Sequence, residues 1–351
     1  MQPEAHPEAH TARVLVAMSG GVDSSVAAAL LLEQGHDVTG VTLKLWGGES
    51  DSGCCSVSDV EDARRVAAQL GIPHYVFNFA DDFDAQVVDP YVRGYEQGTT
   101  PNPCVECNRS IKFGRLLARS EALGFDALAT GHHARVVTGT DGTRRLLRGA
   151  DAAKDQSYVL YMLGARELVR TMLPVGDLTK SQVRDHAASL DLRTATKAES
   201  MDVCFITRGG RASFLAARTE LRPGPVVDTN GAPVGEHAGV AMLTVGQRRG
   251  IGVAAGERRY VVDVDAPTAT VTIGTKDDLL RDELPLRDLC FVHGHPGDRP
   301  LAVQVSAHGR PLEGELVGDV VRLATRHPRV APGQVVALYD GDELLGGGLA
   351  R

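Results

Sequence analysis

Apolar runs alternate with helical stretches through the first 80 residues of the chain. VLVAM, VTGVTLKLW and HYVFNF are separated by SSVAAALLLEQG and DVEDARRVAAQLG. This order predicts a βαβαβ arrangement and a parallel sheet. Gly35 and Gly71 stand where the two helices should end, as expected for left-handed C-terminal caps.

The helix-then-strand pattern recurs further along, where IKFGRLLARSEALG is followed by ALATG. The sequence therefore predicts an α/β domain of the doubly wound parallel-sheet type over residues 12–207, after a disordered tail at residues 1–11. VTGTDGTRRLL predicts a hairpin that turns at Asp141-Gly142. Thr179 and Gln182 predict a capping box at the start of TKSQVRDHAASL.

After about Thr207 the helical periodicity largely disappears. GPVVDTNGAPVG predicts a turn at Asn230-Gly231, and RRYVVDVDAPTATVTIG alternates like a hairpin. These patterns predict a β-rich central domain over residues 208–280. LAVQVSA, DVVRLAT, QVVALYD and LLGGGLA, separated by Gly, Pro and Asp, predict a C-terminal β-barrel over residues 281–351.

Composition narrows the class of protein. The chain is 43% hydrophobic and 23% charged, without a run approaching the ~20 apolar residues of a membrane span. MQPEAHPEAH lacks the basic and apolar regions of a secretory signal, so we expect a cytoplasmic protein. The net charge of −8 gives no general reason to expect nucleic acid, and any RNA site must be a local arginine patch.

A glycine-containing loop follows the first predicted strand directly. It consists of Ser19-Gly20-Gly21-Val22-Asp23-Ser24-Ser25 and leads into a helix. Adjacent glycines let backbone N–H groups approach an anion, serine hydroxyls add donors, and the helix N-terminus adds positive potential. The loop is therefore a candidate pyrophosphate site that lacks the Walker A spacing and lysine. The alternative is a tight turn in which Asp23 or Ser24 only caps the helix.

Six cysteines in a long chain without a signal are expected to be mostly reduced: Cys54, Cys55, Cys104, Cys107, Cys204 and Cys290. Cys107 stands just before a predicted helix start, with Arg109 and Lys112 close by, which favours a thiolate nucleophile. Cys204 lies at the far end of the α/β domain. Two thiols suit persulfide chemistry, in which one carries the transferable sulfur and the other frees it as a disulfide forms.

Two alternatives for these cysteines are metal sites. Structural zinc is disfavoured because no second CxxC or histidine pair stands at finger spacing, and adjacent Cys54 and Cys55 do not easily share one tetrahedral ion. A three-thiolate iron-sulfur cluster on Cys104, Cys107 and Cys204 would also bind and deliver sulfide. For Cys290, packing in a core is the expectation.

The loop Ser-Gly-Gly-Val-Asp-Ser after a first strand resembles the signature of the PP-loop ATP pyrophosphatases, which cleave ATP to AMP and pyrophosphate. SGGVDSS, PNPCVECN with IKFG, ATGHHAR, KDQSY, DVCFI, TVGQRRGIG and the closing GGG together resemble the tRNA-specific 2-thiouridylase family over nearly the whole chain. In that family ATP adenylates the C2 oxygen of the wobble uridine, position 34 of tRNA. A cysteine persulfide then supplies sulfur, giving 2-thiouridine, AMP and pyrophosphate.

The resemblance implies a role for particular residues. Cys107 would be the nucleophile and Cys204 the persulfide carrier. Asp23 would be a ligand for Mg²⁺, which accompanies ATP. ATP would contact Ala17, Met18, Ser19, Gly20, Gly21, Val22, Asp23, Ser24, Leu43 and Gly131. tRNA would contact Asn102, Pro103 and Cys104 around the target base, and further His132, Lys154, Asp155, Gln156 and Gln334. A persulfide donor such as a cysteine desulfurase or a sulfur-relay protein is the other expected partner.

Two departures from the family pattern stand out. Cys104 replaces an Asp that many members carry, so a carboxylate general acid or base is absent there. Either Asp202, Glu106 or a water substitutes for it, or the extra thiol belongs to a cluster. The C-terminal Arg-Tyr contact is replaced by VSAH at residues 305–308.

Two other functions stay open from the residues alone. A different PP-loop ligase or amidotransferase would adenylate a carboxylate and add nitrogen, without needing Cys107 or Cys204. An RNA-binding protein with a degenerate nucleotide site would not catalyse exchange between ATP and pyrophosphate.

Overall fold

The computed structural model describes residues 11–45, 57–198, 203–206, 210–253 and 258–351. Most of the predicted tail and the pair Cys54-Cys55 lie outside these ranges. The chain divides into two compact units that interleave along the sequence. Unit 1 comprises residues 1–80, 112–156 and 166–202, and unit 2 comprises residues 81–111, 157–165 and 203–351.

The helices and strands follow in chain order. The first part of the chain contains β1 (Arg13–Ala17), α1 (Val22–Glu33), β2 (Asp37–Lys44), α2 (Val57–Leu70), β3 (His74–Asn78), α3 (Ala80–Phe83), α4 (Asp89–Glu96), α5 (Pro103–Glu106), α6 (Leu117–Ala122), β4 (Ala127–Thr130), β5 (Ala134–Thr138), β6 (Arg144–Arg148), α7 (Ala165–Val169), β7 (Thr171–Met172) and α8 (Lys180–Ser189). The second part contains α9 (Gly210–Ala216), β8 (Gly224–Val227), β9 (Pro233–His237), β10 (Tyr260–Asp265), β11 (Thr270–Gly274), β12 (Leu280–Phe291), β13 (Pro300–Gln304), β14 (Leu312–Val317), β15 (Val320–Pro328), β16 (Val335–Asp340) and β17 (Glu343–Ala350).

Unit 1 contains the predicted parallel sheet. Its strand order is β3-β2-β1-β4-β7, and all four pairings are parallel. The chain runs outward from β1 to β3 and then returns to β4 on the other side of β1. The doubly wound prediction is confirmed. The gap between β1 and β4 is the switch point at which such sheets bind ligands, beyond the carboxyl ends of the strands.

Helix α1 carries only apolar side chains between Val26 and Leu32, and most of them are buried. Val26, Ala27 and Leu31 are fully buried in the core that also contains Val14 and Val16 of β1. The helix contacts α8 and α2 as well as the sheet. Its alanines keep the layer thin, so the loop before α1 is held firmly at the edge of the sheet.

The local signals of unit 1 are largely confirmed. β5 and β6 form the hairpin, with Gly142 at φ +78° in the turn, and Thr179 and Gln182 form the capping box of α8. Gly35 and Gly71 have φ +83° and +71°, as a left-handed helix end requires.

One helix was predicted with the wrong start. IKFGRLLARSEALG was expected to begin the helix after Cys107, but α5 begins at Pro103 and continues as a π-helical stretch over Cys107–Leu116 into α6. Asn102 causes the earlier start, because its side-chain oxygen accepts hydrogen bonds from the N–H groups of Cys104 and Val105. A second π-helical stretch, Asp84–Val88, joins α3 to α4.

Unit 2 contains two β-structures. The central sheet has the order β10-β11-β8-β9, and both predicted hairpins are present, with Gly231 at φ +82° in one turn. One helix, α9, follows the point near Thr207 after which helical periodicity largely disappears. α9 forms because Leu215 is fully buried and Phe214 packs 5.1 Å from Phe205, measured between ring centroids.

The C-terminal strands close into a six-stranded barrel, as predicted. Its order is β12-β15-β14-β13-β16-β17, and β17 pairs back onto β12. The closing glycines permit this. Gly346 has φ +143°, and a Cβ on it would collide with the carbonyl oxygen of Cys290, while one on Gly347 would collide with that of Val336. A Cβ on Gly348 would lie 2.9 Å from the carbonyl oxygen of Arg287.

Within the described ranges, none of the helices has the length and apolarity needed to cross a bilayer.

Candidate active site

The loop after β1 leads into α1 without a side-chain cap among the described residues. The N-cap is Gly21 in an extended conformation. Ser24 Oγ accepts a hydrogen bond from the Ser19 N–H at 3.1 Å, and Ser25 Oγ donates to the Gly21 carbonyl at 2.9 Å. The alternative in which Asp23 or Ser24 caps the helix is therefore wrong. The N–H groups in the first turn of a helix lack intrahelical acceptors, and here that turn follows the carboxyl end of β1, so an anion bound there could accept from them.

Two glycines bring other segments against this loop. Gly20 has φ +74°, and its Cα faces the Asp59 backbone in the first turn of α2, with no room for a Cβ. Gly131, directly after β4, would place a Cβ 2.6 Å from the Ser24 nitrogen. A residue other than glycine would push the β4 segment away from the helix N-terminus, so Gly131 shapes the candidate ATP site.

Asp23 is the most strongly paired side chain of the loop. Lys180 Nζ donates to both of its carboxylate oxygens at 2.7 Å, and His133 Nε2 lies 3.0 Å from Oδ1. Burial acts to raise the pKa of Asp23, but the bonds from His133 and Lys180 outweigh it and hold that pKa below its usual range. Asp23 is thus an ionised carboxylate already matched by a cation.

Lys197 holds the other side of the loop. Its Nζ donates to the Gly20 carbonyl oxygen at 2.9 Å and to Asp59 and Asp62 of α2 at 2.7 Å each. These bonds raise the pKa of Lys197 although burial acts to lower it. The ammonium group therefore fixes the first turn of α2 against the phosphate loop.

The remaining predicted ATP contacts also lie in unit 1. Ala17 ends β1, the next residue Met18 is 2% exposed, and Leu43 is buried in β2 beside β1. These positions are consistent with walls beside the loop, and their contact with ATP stays a prediction.

His132, a predicted tRNA contact, is buried in unit 1. Its Nδ1 lies 2.7 Å from Thr130 Oγ1 and its Nε2 lies 3.5 Å from Lys112 Nζ. Burial, helped by the nearby Lys112 charge, lowers the pKa of His132 well below 6.5. The ring is therefore neutral at physiological pH, with both nitrogens in contact with protein groups.

The three residues of the segment Lys154-Asp155-Gln156 differ in burial. Asp155 is buried, accepts from the Gly149 N–H at 2.9 Å and pairs with Arg148 at 3.1 Å. Gln156 is exposed, and its Oε1 accepts from the His133 N–H at 2.9 Å. Lys154 is half-buried. Asp155 and Gln156 thus build the turn that positions His133, whether or not they also contact RNA.

The thiol loop lies in unit 2. Cys104 is half-buried in the first turn of α5, next to the buried Pro103, and Cys107 is buried one turn later. The expectation that Cys107 stands just before the helix is therefore wrong, because Asn102 caps the helix five residues before Cys107. The helix N-terminus acts most directly on Cys104.

Arg109, expected to favour the Cys107 thiolate, is engaged by other groups. Its Nη2 donates to the Tyr161 hydroxyl at 2.9 Å, and its Nη1 lies 3.7 Å from Glu106. Ser110 also donates to Glu106. Burial raises the pKa of Tyr161, which therefore stays a neutral partner for Arg109. Glu106 therefore neutralises part of the positive charge of Arg109 that was expected to stabilise the Cys107 thiolate.

An aromatic cluster holds the segment of Cys204 in unit 2. Phe205 is 2% exposed and packs against Phe83 and Tyr91, with ring centroids 5.7 and 5.5 Å apart. The pKa of Tyr91 is raised, chiefly by burial and then by the neighbouring Tyr95. Tyr91 thus packs directly on the residue next to Cys204.

The remaining predictions concern metal binding, Gln334 and Cys290. Among the described residues, no group of three or more His, Cys, Asp or Glu side chains is arranged to hold a metal ion. Gln334 donates to the Thr100 carbonyl at 2.6 Å and so fixes the loop before Asn102. Cys290 Sγ donates to the Met162 carbonyl at 3.5 Å.

Comparison with known proteins assigns the family. Residues 12–208, 212–275 and 290–350 match three family models, described as the tRNA methyl transferase HUP domain, the tRNA methyl transferase PRC-barrel domain and the aminomethyltransferase beta-barrel domain. The tRNA-specific 2-thiouridylase MnmA of Chloroflexus aurantiacus is 47% identical over 96% of this chain and 98% of its own. That of Mycolicibacterium paratuberculosis is 49% identical over 95% and 97%.

The chain belongs to the tRNA-specific 2-thiouridylase family. The family, the fold class and the enzyme type predicted from the sequence, a tRNA 2-thiouridylase, are confirmed. Among solved structures, the U34-tRNA thiolase NcsA from Methanococcus maripaludis with its [4Fe-4S] cluster is 21% identical. That match covers 59% of this chain and 64% of the other, and the TM-score of 0.38 is too low to bear on chemistry.

Lys180 and Lys197 are the site residues that sequence reasoning missed. Lys180 directly follows the capping residue Thr179, so a helix start could be predicted there. Its contact with Asp23, 157 residues earlier, has no local signal. Lys197 stands in an irregular stretch without periodicity, and only the fold brings it to Gly20.

Proposed function

We propose that this thiouridylase converts uridine 34 of tRNA to 2-thiouridine in an ATP-dependent reaction that releases AMP and pyrophosphate. The observation that carries the proposal is the uncapped phosphate loop at the switch point, with Asp23 already paired to Lys180. Membership of the thiouridylase family indicates that the substrate is a tRNA uridine and that the transferred atom is sulfur. The finer roles below follow from this combination.

In the first step the C2 oxygen of the uridine attacks the α-phosphorus of ATP, and the bond to pyrophosphate breaks. Backbone N–H groups of residues 20–24 would donate hydrogen bonds to the leaving pyrophosphate, aided by the start of α1. Mg²⁺ would bind Asp23 and phosphate oxygens and neutralise their charge. Asp23 fits this task because it is ionised, and Lys180 would then be released from it toward the triphosphate.

In the second step the outer sulfur of a Cys204 persulfide attacks C2, and AMP leaves. Cys107, as a thiolate, then attacks the Sγ of Cys204. A Cys107–Cys204 disulfide forms, and the bonding pair of the S–S bond departs with the sulfur on C2 as 2-thiouridine. Two electrons from a thiol reductant regenerate both cysteines. A cysteine desulfurase or sulfur-relay protein would reload Cys204.

The target base would lie at Asn102, Pro103 and Cys104, where a single-stranded anticodon base can be splayed out. His132, Lys154, Asp155, Gln156 and Gln334 are proposed as further tRNA contacts. For Asp155 and His132, burial favours a positioning role over direct contact. We place the reaction in the cytoplasm, where tRNA is modified.

The test combines purified protein, ATP, Mg²⁺, a persulfide donor and unmodified tRNA under anaerobic conditions, with and without reconstituted iron. Nucleoside mass analysis measures 2-thiouridine. Without iron, product is expected from the native protein and from Cys290→Ser, and none from Cys107→Ser or Cys204→Ser. Exchange between ATP and pyrophosphate should persist in all variants.

Three outcomes would overturn parts of the proposal. Product only after iron reconstitution would assign sulfur transfer to a cluster on Cys104, Cys107 and Cys204. Amide or amine products, unaffected by serine at Cys107 and Cys204, would favour an amidating ligase. Failure of ATP–pyrophosphate exchange would leave an RNA-binding protein without catalysis.

A further inference from the structure

The motif TVGQRRGIG in unit 2 has a defined structure that the reaction scheme above does not use. Gln247 organises it: its Oε1 accepts from the Thr244 N–H at 3.2 Å, and its Nε2 donates to the Arg249 carbonyl at 2.8 Å. Gly246 and Gly250, with φ +87° and +73°, bound the loop. Its backbone is anchored to Val261 by hydrogen bonds of 2.8 and 2.9 Å. The loop is therefore ordered before any ligand binds.

Arg248 and Arg249 project from this ordered loop. Both side chains are exposed, and within the described ranges neither guanidinium has an ion pair or a hydrogen-bond acceptor. Two arginines of the C-terminal barrel differ in this respect. Arg299 pairs with Asp340 at 3.0 Å and Arg351 pairs with Asp319 at 2.7 Å. The chain has a net charge of −8. Intramolecular ion pairing therefore does not explain why these two adjacent arginines are present on the surface.

The loop also contacts the segment that leads to the thiols. Thr100 Oγ1 donates to Thr244 Oγ1 at 3.4 Å. Val245, next to it, is buried with Ala331, close to the Gln334 that fixes Thr100. Arg248 and Arg249 follow Thr244 by four and five residues, which limits their distance from it to about 14 and 18 Å of extended chain. That separation is within the width of an RNA stem-loop.

We propose that Arg248 and Arg249 form a phosphate-binding loop for the RNA backbone of the segment whose base enters the Asn102–Cys107 region. This inference rests on the proposed function and adds a surface to it. Arginine binds phosphate with a fork of donors, and backbone contacts fix register without reading sequence. A preordered loop loses little conformational entropy on binding.

The experiment compares two double variants that remove the same charge from the full-length protein. Arg248→Gln/Arg249→Gln removes the proposed contacts. Arg64→Gln/Arg65→Gln, on the exposed face of α2 where both arginines pair with Glu61, is the matched control. tRNA affinity is measured between 50 and 200 mM salt, together with KM for tRNA and for ATP.

The loop variant should bind tRNA roughly tenfold more weakly. The slope of log K against log salt should lose about 1.4 to 1.8 for two phosphate contacts. KM for tRNA should rise by a similar factor, with kcat and KM for ATP unchanged. Arg248→Lys/Arg249→Lys should recover most of the slope, because lysine still binds phosphate as a point charge.

Equal weakening by both double variants, or an unchanged salt slope in the loop variant, would overturn the inference. A raised KM for ATP alone would assign the arginines to the nucleotide instead. Because 2-thiouridine formation by the native protein is measured separately, these failures are distinct from failure of the proposed function.

Discussion

At the scale of residues, the loop after β4 places two histidines in different electrostatic surroundings. His133 lies against the carboxylate of Asp23, whereas His132 is buried beside the ammonium of Lys112. Adjacent residues of one type thus have separate roles. His133 contacts the carboxylate of Asp23. His132 is a neutral, buried, hydrogen-bonded group whose protonation would destabilise the folded protein.

The pH dependence of stability should report His132. Its pKa in the folded protein lies below 6.5, so the unfolded chain takes up the proton first as pH falls. The stability that neutral His132 provides is present above pH 6.5 and is lost as pH falls below it, by up to about 1.4 kcal/mol per pH unit. His132→Asn should remove this contribution to the slope.

Urea unfolding of both proteins between pH 7.5 and 5.5 measures the difference in slope. His308→Asn, at an exposed histidine, is the control for loss of an imidazole. Parallel curves for native and His132→Asn protein would contradict the burial argument.

Single residues also separate what a sequence can and cannot tell. The chemistry of SGGVDSS could be predicted because its donors are contiguous, and the structure adds only that Gly21 is the cap. The partners of Asp23 could not, because Lys180 is brought to it by the packing of α8 on α1. Pairings across 157 residues leave no periodicity to detect.

At the scale of elements, the first turn of α2 is tied to the phosphate loop by one ammonium group. Lys197→Met would remove the ammonium group that Asp59 and Asp62 share, although Arg193 would still pair with Asp62 at 3.0 Å. We expect the free energy of unfolding to fall by about 2 kcal/mol, typical of lost bonds between charged groups. KM for ATP should rise roughly tenfold, since Gly20 loses its support.

Chemical denaturation and ATP–pyrophosphate exchange measure these two effects. Lys197→Arg should restore much of both, and Lys276→Met, at an exposed lysine of unit 2, should change neither. If Lys197→Met lowers stability but leaves KM for ATP unchanged, Lys197 stabilises α2 without supporting the loop.

The start of α5 tests a second element. Asn102→Ala removes the cap and should cost about 1 kcal/mol of stability. Asn102→Asp keeps the cap, because a carboxylate oxygen accepts the same two N–H bonds. If Asn102 acts only as a cap, Asp at this position retains thiolation activity.

Loss of activity in Asn102→Asp with native stability would instead show that the amide reads the base. Thermal unfolding and 2-thiouridine formation, measured on both variants, separate these outcomes. The capping role of Asn102 could not be predicted from the sequence alone, because Pro101 and Pro103 on either side of it indicated a stiff loop and not a helix start.

At the scale of the whole molecule, the predicted boundary near residue 207 does not separate the two compact units. Residues 81–111 and 157–165 belong with unit 2. Tyr158 donates to the Val335 carbonyl at 2.8 Å, and Tyr91 packs 6.3 Å from Phe214. Apolar periodicity identified where strand-rich sequence begins, but it carries no information on which earlier segments pack with it.

A fragment of residues 12–207 should therefore fold poorly. It would lack Phe214, Arg211 and Val335, which contact Tyr91, Tyr95 and Tyr158 respectively. We expect an aggregated or non-cooperatively melting fragment, measured by size-exclusion chromatography and near-ultraviolet circular dichroism. A monomeric fragment that melts as cooperatively as the full chain would show that residues 12–207 fold without the later strands.

The glycine triplet of β17 has a consequence for how variation in this family should be interpreted. Side chains at residues 346–348 would press on the backbones of both neighbouring strands, β12 and β16, and so would oppose closure of the barrel. In a saturation mutagenesis screen for activity, these codons would tolerate almost nothing and would rank beside Cys107. Their intolerance would come from chain closure alone, so a map of mutational sensitivity would overstate the catalytic surface unless abundance were measured in the same cells.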